Sequence, residues 1–309
     1  METRSSSSDQ AASMQAALLP DRGVVKVTGD AARKFLNGLV TVDVAQVTPA
    51  RAAFGALLTP QGKIIVDFLL AEAPPADGGG FFLDCPRALA PTLMQRLNFY
   101  KLRAPVIVAD LSETLGVLAV WDGTAATEYG LCYTDPRLPA LGLRCMLPPH
   151  RAADAAADLG AELVAPAAYE AHRIALGVPH GGLDFIYGDA FPHETDMDQL
   201  GGVDFDKGCF VGQEVVSRIE HRGTARSRIV PVAFDGFAPE AGTPVSAGER
   251  TVGTLGSSAQ GRALALLRLD RAADALAAGE ALASGGVELR LIKPAWAQFA
   301  WPGEAKAAE

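Results

Sequence analysis

Residues 54–70 read FGALLTPQGKIIVDFLL. Two apolar runs flank Thr59-Pro60-Gln61-Gly62, where the proline ring presets one backbone angle and glycine tolerates the reversal, so the stretch predicts a β-hairpin. Upstream, GVVKVTGD (23–30) alternates like a strand. In the helix-like GDAARKFLNGLV (29–40), Phe35, Leu36 and Leu39 share one stripe and Asp30 suits the first turn. Downstream come the loop APPADGGG (73–80), the strand GFFLDCP, a helix over 87–102 and the strand APVIVAD (104–110). Strand–helix–strand following a hairpin indicates an α+β arrangement, not a doubly wound parallel sheet.

Farther along, PAAYEAHRIALG (166–177) opens with proline and closes with glycine, as a helix does. Residues 178–208 are polar, rich in Gly and Asp and aperiodic. At that length a segment is functional or disordered. From Arg226 onward, short β-like runs alternate with Gly-, Pro- and Glu-containing turns through Trp296, the pattern of a small closed barrel.

The 309 residues are 49% hydrophobic and 20% charged, a globular composition with room for two or three cores. A net charge of −9 argues against non-specific binding to nucleic acid or an anionic membrane, and no apolar run reaches the length of a membrane span. The opening METRSSSSDQAASMQAALLP lacks the apolar core of a secretory signal, and Glu2 and Asp9 do not suit a transit peptide, so residues 1–20 read as a flexible tail. Cys85, Cys132, Cys145 and Cys209 show neither CxxC nor zinc spacing, so no metal site is expected. The first three read as buried apolar filler, which implies a reducing compartment and a cytoplasmic protein.

Cys209 differs. It lies in DKGCFVGQE (206–214), just ahead of QEVVSRIEHRG (213–223), whose Val215, Val216 and Ile219 form a helical stripe ending at Gly223. A helix N-terminus and the nearby Lys207 both favour thiolate over thiol. The alternative is a capped turn holding a semi-buried thiol. A papain-like nucleophile would also need a base, and His172, His180, His193 and His221 are candidates that sequence leaves unplaced. The run Arg218, His221, Arg222, Arg226 and Arg228 reads either as a solvated face or as an anion site, with Arg218, Arg222 and Arg226 as its patch. Asp67, within the apolar IIVDFLL, must be paired, hydrogen-bonded or facing a cavity.

KGCFVGQE resembles the signature of YgfZ-type folate-binding proteins, relatives of the glycine-cleavage T-protein, an aminomethyltransferase. FLNGLVTVDV (35–44), residues 54–70, NFYKLRAPV (98–106), DPRLPALGLR (135–144) and ETDMDQLGGVDFDKGCFVGQEVVSR (194–218) resemble family segments in the family's order. HRIALGVPHGGLDF and HRGTARSRIVPV are similar to the branch that holds the mitochondrial iron–sulfur cluster assembly factor, of which this chain looks like a bacterial counterpart.

The resemblance implies a T-protein-like ring of three domains around a folate cavity, the middle one ferredoxin-like and the last a β-barrel. Residues 21–229 would form the folate-binding core of two interleaved α+β domains, 230–302 the barrel and 303–309 a tail. It implies tetrahydrofolate or a derivative as ligand, contacted by Asp67, Tyr100, Arg103, Lys207, Gln213 and Glu214. It also implies work on iron–sulfur client or assembly proteins, with Cys209 as the functional thiol at the cavity. Nothing along the chain looks like a dimer seam, so a monomer is expected. Two departures from the T-protein weaken the alternative of aminomethyl or one-carbon transfer: Lys-Gly-Asp becomes Lys207-Gly208-Cys209, and the glutamate of Arg-x-Glu-Ala-Gly becomes Ala175.

Overall fold

The computed structural model describes residues 13–123, 127–223 and 225–303. The first half runs β1 (Gln15–Leu19), β2 (Arg22–Thr28), α1 (Ala32–Asn37), β3 (Ala53–Leu58), β4 (Ile64–Glu72), β5 (Phe81–Pro86), α2 (Ala90–Lys101) and β6 (Ile107–Asp110). Then follow β7 (Gly116–Trp121), β8 (Leu131–Thr134), β9 (Leu143–Leu147), α3 (Ala152–Leu159), β10 (Glu162–Leu163), α4 (Pro166–Leu176) and α5 (Gln213–Arg222). The last part is β11 (Ser227–Ala233), β12 (Pro244–Ala247), β13 (Arg250–Ala259), β14 (Arg262–Arg268), α6 (Leu269–Ala277), β15 (Leu282–Ser284) and β16 (Val287–Leu291).

Two five-stranded sheets, ordered β3-β4-β5-β2-β6 and β10-β1-β7-β9-β8, precede a closed barrel, β11-β14-β13-β12-β15-β16. The hairpin forms as its pattern dictates: Thr59 and Lys63 pair across the turn, and Ala56 lies opposite Asp67. Leu36, Leu57, Val66, Leu83, Leu93 and Leu97 pack α1 and α2 against the first sheet. Ala155, Ala156 and Leu159 of α3 cover the second. Between the sheets, Leu19, Val24, Leu69, Val117, Trp121 and Met146 share one core, which Tyr169, Phe185, Met197 and Ile229 extend to the rest of the molecule. Near-continuous apolar runs in the central strands, whose successive side chains point to opposite sides, thus supply two buried faces per sheet.

Polar groups cross the same interior. Arg22 Nε lies 2.6 Å from Asp84 Oδ1, and Arg144 Nε lies 3.1 Å from Asp135 Oδ2. Burial opposes ionisation of Asp135, but Arg137 and Arg144 outweigh it and hold its pKa down to about 2.

Several expectations need correction. Residues up to 20 are not all tail: Gln15–Leu19 pairs antiparallel with β7 and parallel with β10, which satisfies its backbone from both sides. Residues 1–12 and 304–309 of the expected tails lie outside the described residues. The boundary expected between 229 and 230 falls inside β11. Cys132 and Cys145 are not filler but a disulfide, formed where β8 and β9 set them directly opposite, with Cα atoms 4.0 Å apart. Sequence spacing gave no hint of it, because only strand register brings the two together. The segment 178–208 is neither helix nor strand, yet it buries Asp184, His193, Thr195, Asp196 and Lys207, whose partners anchor it.

Candidate functional site

The Cys209 turn is built by docking onto the segment that follows α1. Lys207 Nζ donates to the carbonyls of Asn37 (2.7 Å), Val40 (2.6 Å) and Val42 (2.9 Å). Asp204 N donates to Thr41 O, and the Thr41 hydroxyl donates to Gly202 O at 2.6 Å. Burial brings the Lys207 ammonium down to about 8, against the pull of Asp43 and Asp204, while three carbonyls accept its three hydrogens. This lysine is therefore a clamp for the loop, a use that the expected roles in binding folate or tuning the thiol did not include.

With Lys207 anchored inward, Gly208 and Cys209 are exposed and Phe210 turns back into the core. Gly212 follows at φ 84° as the N-cap of α5, and a Cβ there would meet Thr59 O at 2.6 Å, so only glycine lets the hairpin turn and the helix start approach this closely. Gly212, three residues after Cys209, thus stands against the tip of the hairpin. Asp67 lies five residues beyond Gly62, roughly 16 Å along the strand. Asp67 sits mid-strand opposite Ala56, set back from the turn that Gly212 approaches.

Asp67 is half-buried and accepts a hydrogen bond on Oδ1 from the Tyr187 hydroxyl. The phenol's pKa is held above its usual value by burial and then by that carboxylate. Gly181 lies directly on the Tyr187 ring edge, leaving no room for a Cβ. On the other side of Gly181 opens a cavity of about 630 Å³ lined by Asp21, Pro86, Arg87, Glu170, His180 and Leu183 among others. His180 Nε2 is 3.2 Å from Asp21 Oδ2, and Nδ1 is 3.5 Å from Glu170 Oε1. Burial lowers the imidazole pKa, but hydrogen bonds to Asp21 and Glu170 raise it more, for a net rise. Burial raises the Glu170 pKa, and the bonds from His180 and Arg173 bring it down to about 2.

Sequence reasoning missed Glu170 as a cavity group and Tyr187 as the partner of Asp67, while His180 was one of four histidines it left unplaced. The one legible signal for His180 and Tyr187 was the polar, aperiodic stretch 178–208; Glu170, on α4, carried none. Ala175, the position where the T-protein's glutamate was expected, is exposed on α4 and its carbonyl accepts from Arg262 of the barrel at 3.1 Å. The same helix does offer a carboxylate to a cavity, five residues earlier at Glu170.

The remaining expected residues scatter. Tyr100 packs at the edge of the first sheet's core, and Arg103 is exposed beyond α2. Gln213 begins α5, and the exposed Glu214 pairs with Arg218 at 2.8 Å. Arg218, Arg222 and Arg226 are exposed, but Arg228 leaves the basic run altogether: it is buried and paired with Asp196 and Asp198. Cys85 is buried at 0% exposure, and its thiol is pushed up to about 12 by desolvation. A disulfide and a buried thiol leave Cys209 as the exposed sulfhydryl among the described residues.

Comparison with known proteins matches residues 226–299 to the CAF17 C-terminal β-barrel domain. Over 284 residues the chain is 30% identical to the human mitochondrial iron–sulfur cluster assembly factor IBA57, covering 81% of this chain and 76% of that protein. The chain belongs to the IBA57 family. A homolog from Mycosarcoma maydis is 35% identical over 230 residues, 71% of this chain. The match spans little more than half of that relative's own length, 57%. The crystal structure of the glycine cleavage system aminomethyltransferase T from Bartonella henselae superposes with a TM-score of 0.73 at 16% identity, over 94% of this chain and 88% of the other, which establishes the shared T-protein-like fold. These IBA57 relatives are named as mitochondrial, so the cytoplasmic placement expected from scattered cysteines and the sequence start does not stand. Its premise of reduced cysteines also fails at Cys132–Cys145.

Proposed function

We propose that the protein serves iron–sulfur cluster assembly or repair, with Cys209 as its working thiol and a tetrahydrofolate-type ligand held near Asp67. The observation that carries the first part is the exposure of Cys209 on a turn fixed from beneath by Lys207, in a chain whose relatives are named iron–sulfur cluster assembly factors. A thiol presented on a rigid turn reaches a partner or a cluster without reorganising the fold, and thiolates are the usual ligands of iron–sulfur clusters. The client and assembly proteins it meets belong to this reading. Support for folate comes from the T-protein-like fold and from Asp67, a half-buried carboxylate on an otherwise apolar strand; a cavity of about 630 Å³, ample for a drug-sized ligand, opens past Gly181, which packs on the Tyr187 ring that holds Asp67.

The test is complementation. Cells lacking the protein are supplied with wild type, Cys209→Ser or Asp67→Asn, and the activity of cluster-dependent enzymes is measured at matched protein levels. Loss of rescue by Cys209→Ser is expected. Full rescue by that variant would remove the thiol from the function. Calorimetric titration of the purified chain with tetrahydrofolate checks the ligand separately, and absence of binding by wild type would remove folate.

A further inference from the structure

At the far end of α5 from Cys209, the helix meets the Pro192–Asp198 turn. His193, Asp198 and Glu220 bring an imidazole nitrogen and two carboxylates together there, with the donor atoms within 4.8 Å of one another. His193 Nε2 lies 2.9 Å from Glu220 Oε2. Ligands about 2.1 Å from one metal ion stand about 2.9–3.4 Å apart at octahedral or tetrahedral angles, so this pair is already spaced as neighbouring ligands.

Two of the three donors are fixed and one is free to move. The His193 side chain is 2% exposed and its ring leans on Phe205, with centroids 5.9 Å apart. Asp198 is gripped by Arg228, with Nη1 at 2.8 Å from Oδ1 and Nη2 at 2.7 Å from Oδ2. Oδ2 also accepts from Gln199 Nε2 at 2.8 Å, but Oδ1 keeps a second lone pair, so the guanidinium orients Asp198 and leaves Oδ1 able to ligate. Glu220 is 43% exposed, and a small rotation of its side chain tightens the triangle.

Access and charge also favour a cation. His193, Glu220 and Arg228 line an open cavity of about 370 Å³, which leaves room for water to complete the coordination. Asp198 and Glu220 set two carboxylates against the single guanidinium of Arg228, with Arg226 also lining the mouth. His193 Nδ1 and Asp196 Oδ2 are buried without a hydrogen-bond partner among the described residues, a polar surplus that the fold itself does not use.

We propose that His193, Asp198 and Glu220 bind one divalent first-row transition ion, of the Zn²⁺ or Fe²⁺ class, which clamps the end of α5 to the Pro192–Asp198 turn. One imidazole with two carboxylates suits such ions. The ion takes the place of the proton shared by His193 and Glu220, as ligation requires neutral imidazole. The seven-residue rise from Gln213 to Glu220 keeps the site about 10 Å or more from Cys209, so thiolate is not a ligand.

The probe is Co²⁺, titrated into the metal-stripped full chain and followed by visible absorption and calorimetry, with Zn²⁺ as competitor. One Co²⁺ per chain is expected, with ligand-field bands and no thiolate charge-transfer band. Glu220→Gln and His193→Gln should each weaken binding by at least about tenfold. Cys209→Ser should leave it unchanged. Zn²⁺ should raise the melting temperature of wild type and not of Glu220→Gln, a variant on the exposed side of the site that keeps the metal-free fold comparable if His193→Gln unfolds. Wild-type affinity in Glu220→Gln, a charge-transfer band lost in Cys209→Ser, or no Co²⁺ binding would each overturn the proposal.

Discussion

Tyr187 donates its hydroxyl hydrogen to Asp67 across a sequence separation of 120 residues, tying the loop beyond α4 to the second strand of the hairpin. If Asp67 is the carboxylate that meets folate, Asp67→Asn removes a charge-assisted hydrogen bond, worth about 1.5–3 kcal/mol. Tetrahydrofolate affinity measured by calorimetry should fall roughly tenfold or more. Tyr187→Phe keeps the carboxylate and should hold affinity within a few-fold.

The three environments of sulfur in this chain predict one alkylation site. Iodoacetamide under native, non-reducing conditions should label Cys209 alone, since Cys85 is buried with its thiol pushed up to about 12 and Cys132 is bonded to Cys145. Mass spectrometry of the intact chain should show a single adduct, absent in Cys209→Ser. Cys85 should react only after denaturation.

Arg173 joins three parts of the molecule. It pairs with Glu170 at 2.7 Å and with Asp184 at 2.9 Å, and donates to Val178 O at 2.7 Å and Ser257 Oγ at 2.9 Å on the barrel. At 2% exposure its loss leaves the buried Asp184 without a counter-ion, held only by His180 N and by the Ser257 N–H and hydroxyl. Arg173→Ala should cost about 3–5 kcal/mol in urea unfolding, and Arg173→Lys, which lacks the guanidinium fork, should recover only part of it.

His180 gives stability a pH dependence of definite sign. Its pKa in the fold is raised above 6.5, so the folded state binds its proton more tightly than the unfolded chain does. That stabilisation is complete below about pH 6.5 and is lost as pH rises through the folded-state value. Glu170, held down to about 2, contributes in the opposite sense and only in acid: its share is present above about pH 4.3 and is lost as pH falls toward 2. With Asp21 half-exposed, the His180 share is about 1 kcal/mol or less, roughly 2–4 °C in melting temperature. His180→Gln should flatten the slope above pH 6.5 in thermal scans.

The sequence by itself determined the local elements and the fold class. Period-two alternation and the Thr59–Gly62 turn specify the hairpin, Pro166 and Gly177 bracket α4, Gly223 ends α5, and short strands between Gly-containing turns specify the barrel. These features depend on neighbours within a few residues, so they are legible in one dimension. The KGCFVGQE stretch likewise marked Cys209.

Tertiary structure decided what each marked residue touches. Lys207 caps carbonyls more than 160 positions away instead of serving its neighbour Cys209, because the loop after α1 presents three acceptors that a buried ammonium must satisfy. Arg228 left the basic patch because Asp196 and Asp198 lay within reach inside the fold. The Cys132–Cys145 bond, the His180 bridge and the His193–Asp198–Glu220 triangle all join residues brought together by register or docking. Each depends on a spatial proximity set by strand register or loop docking, which spacing along the chain does not encode.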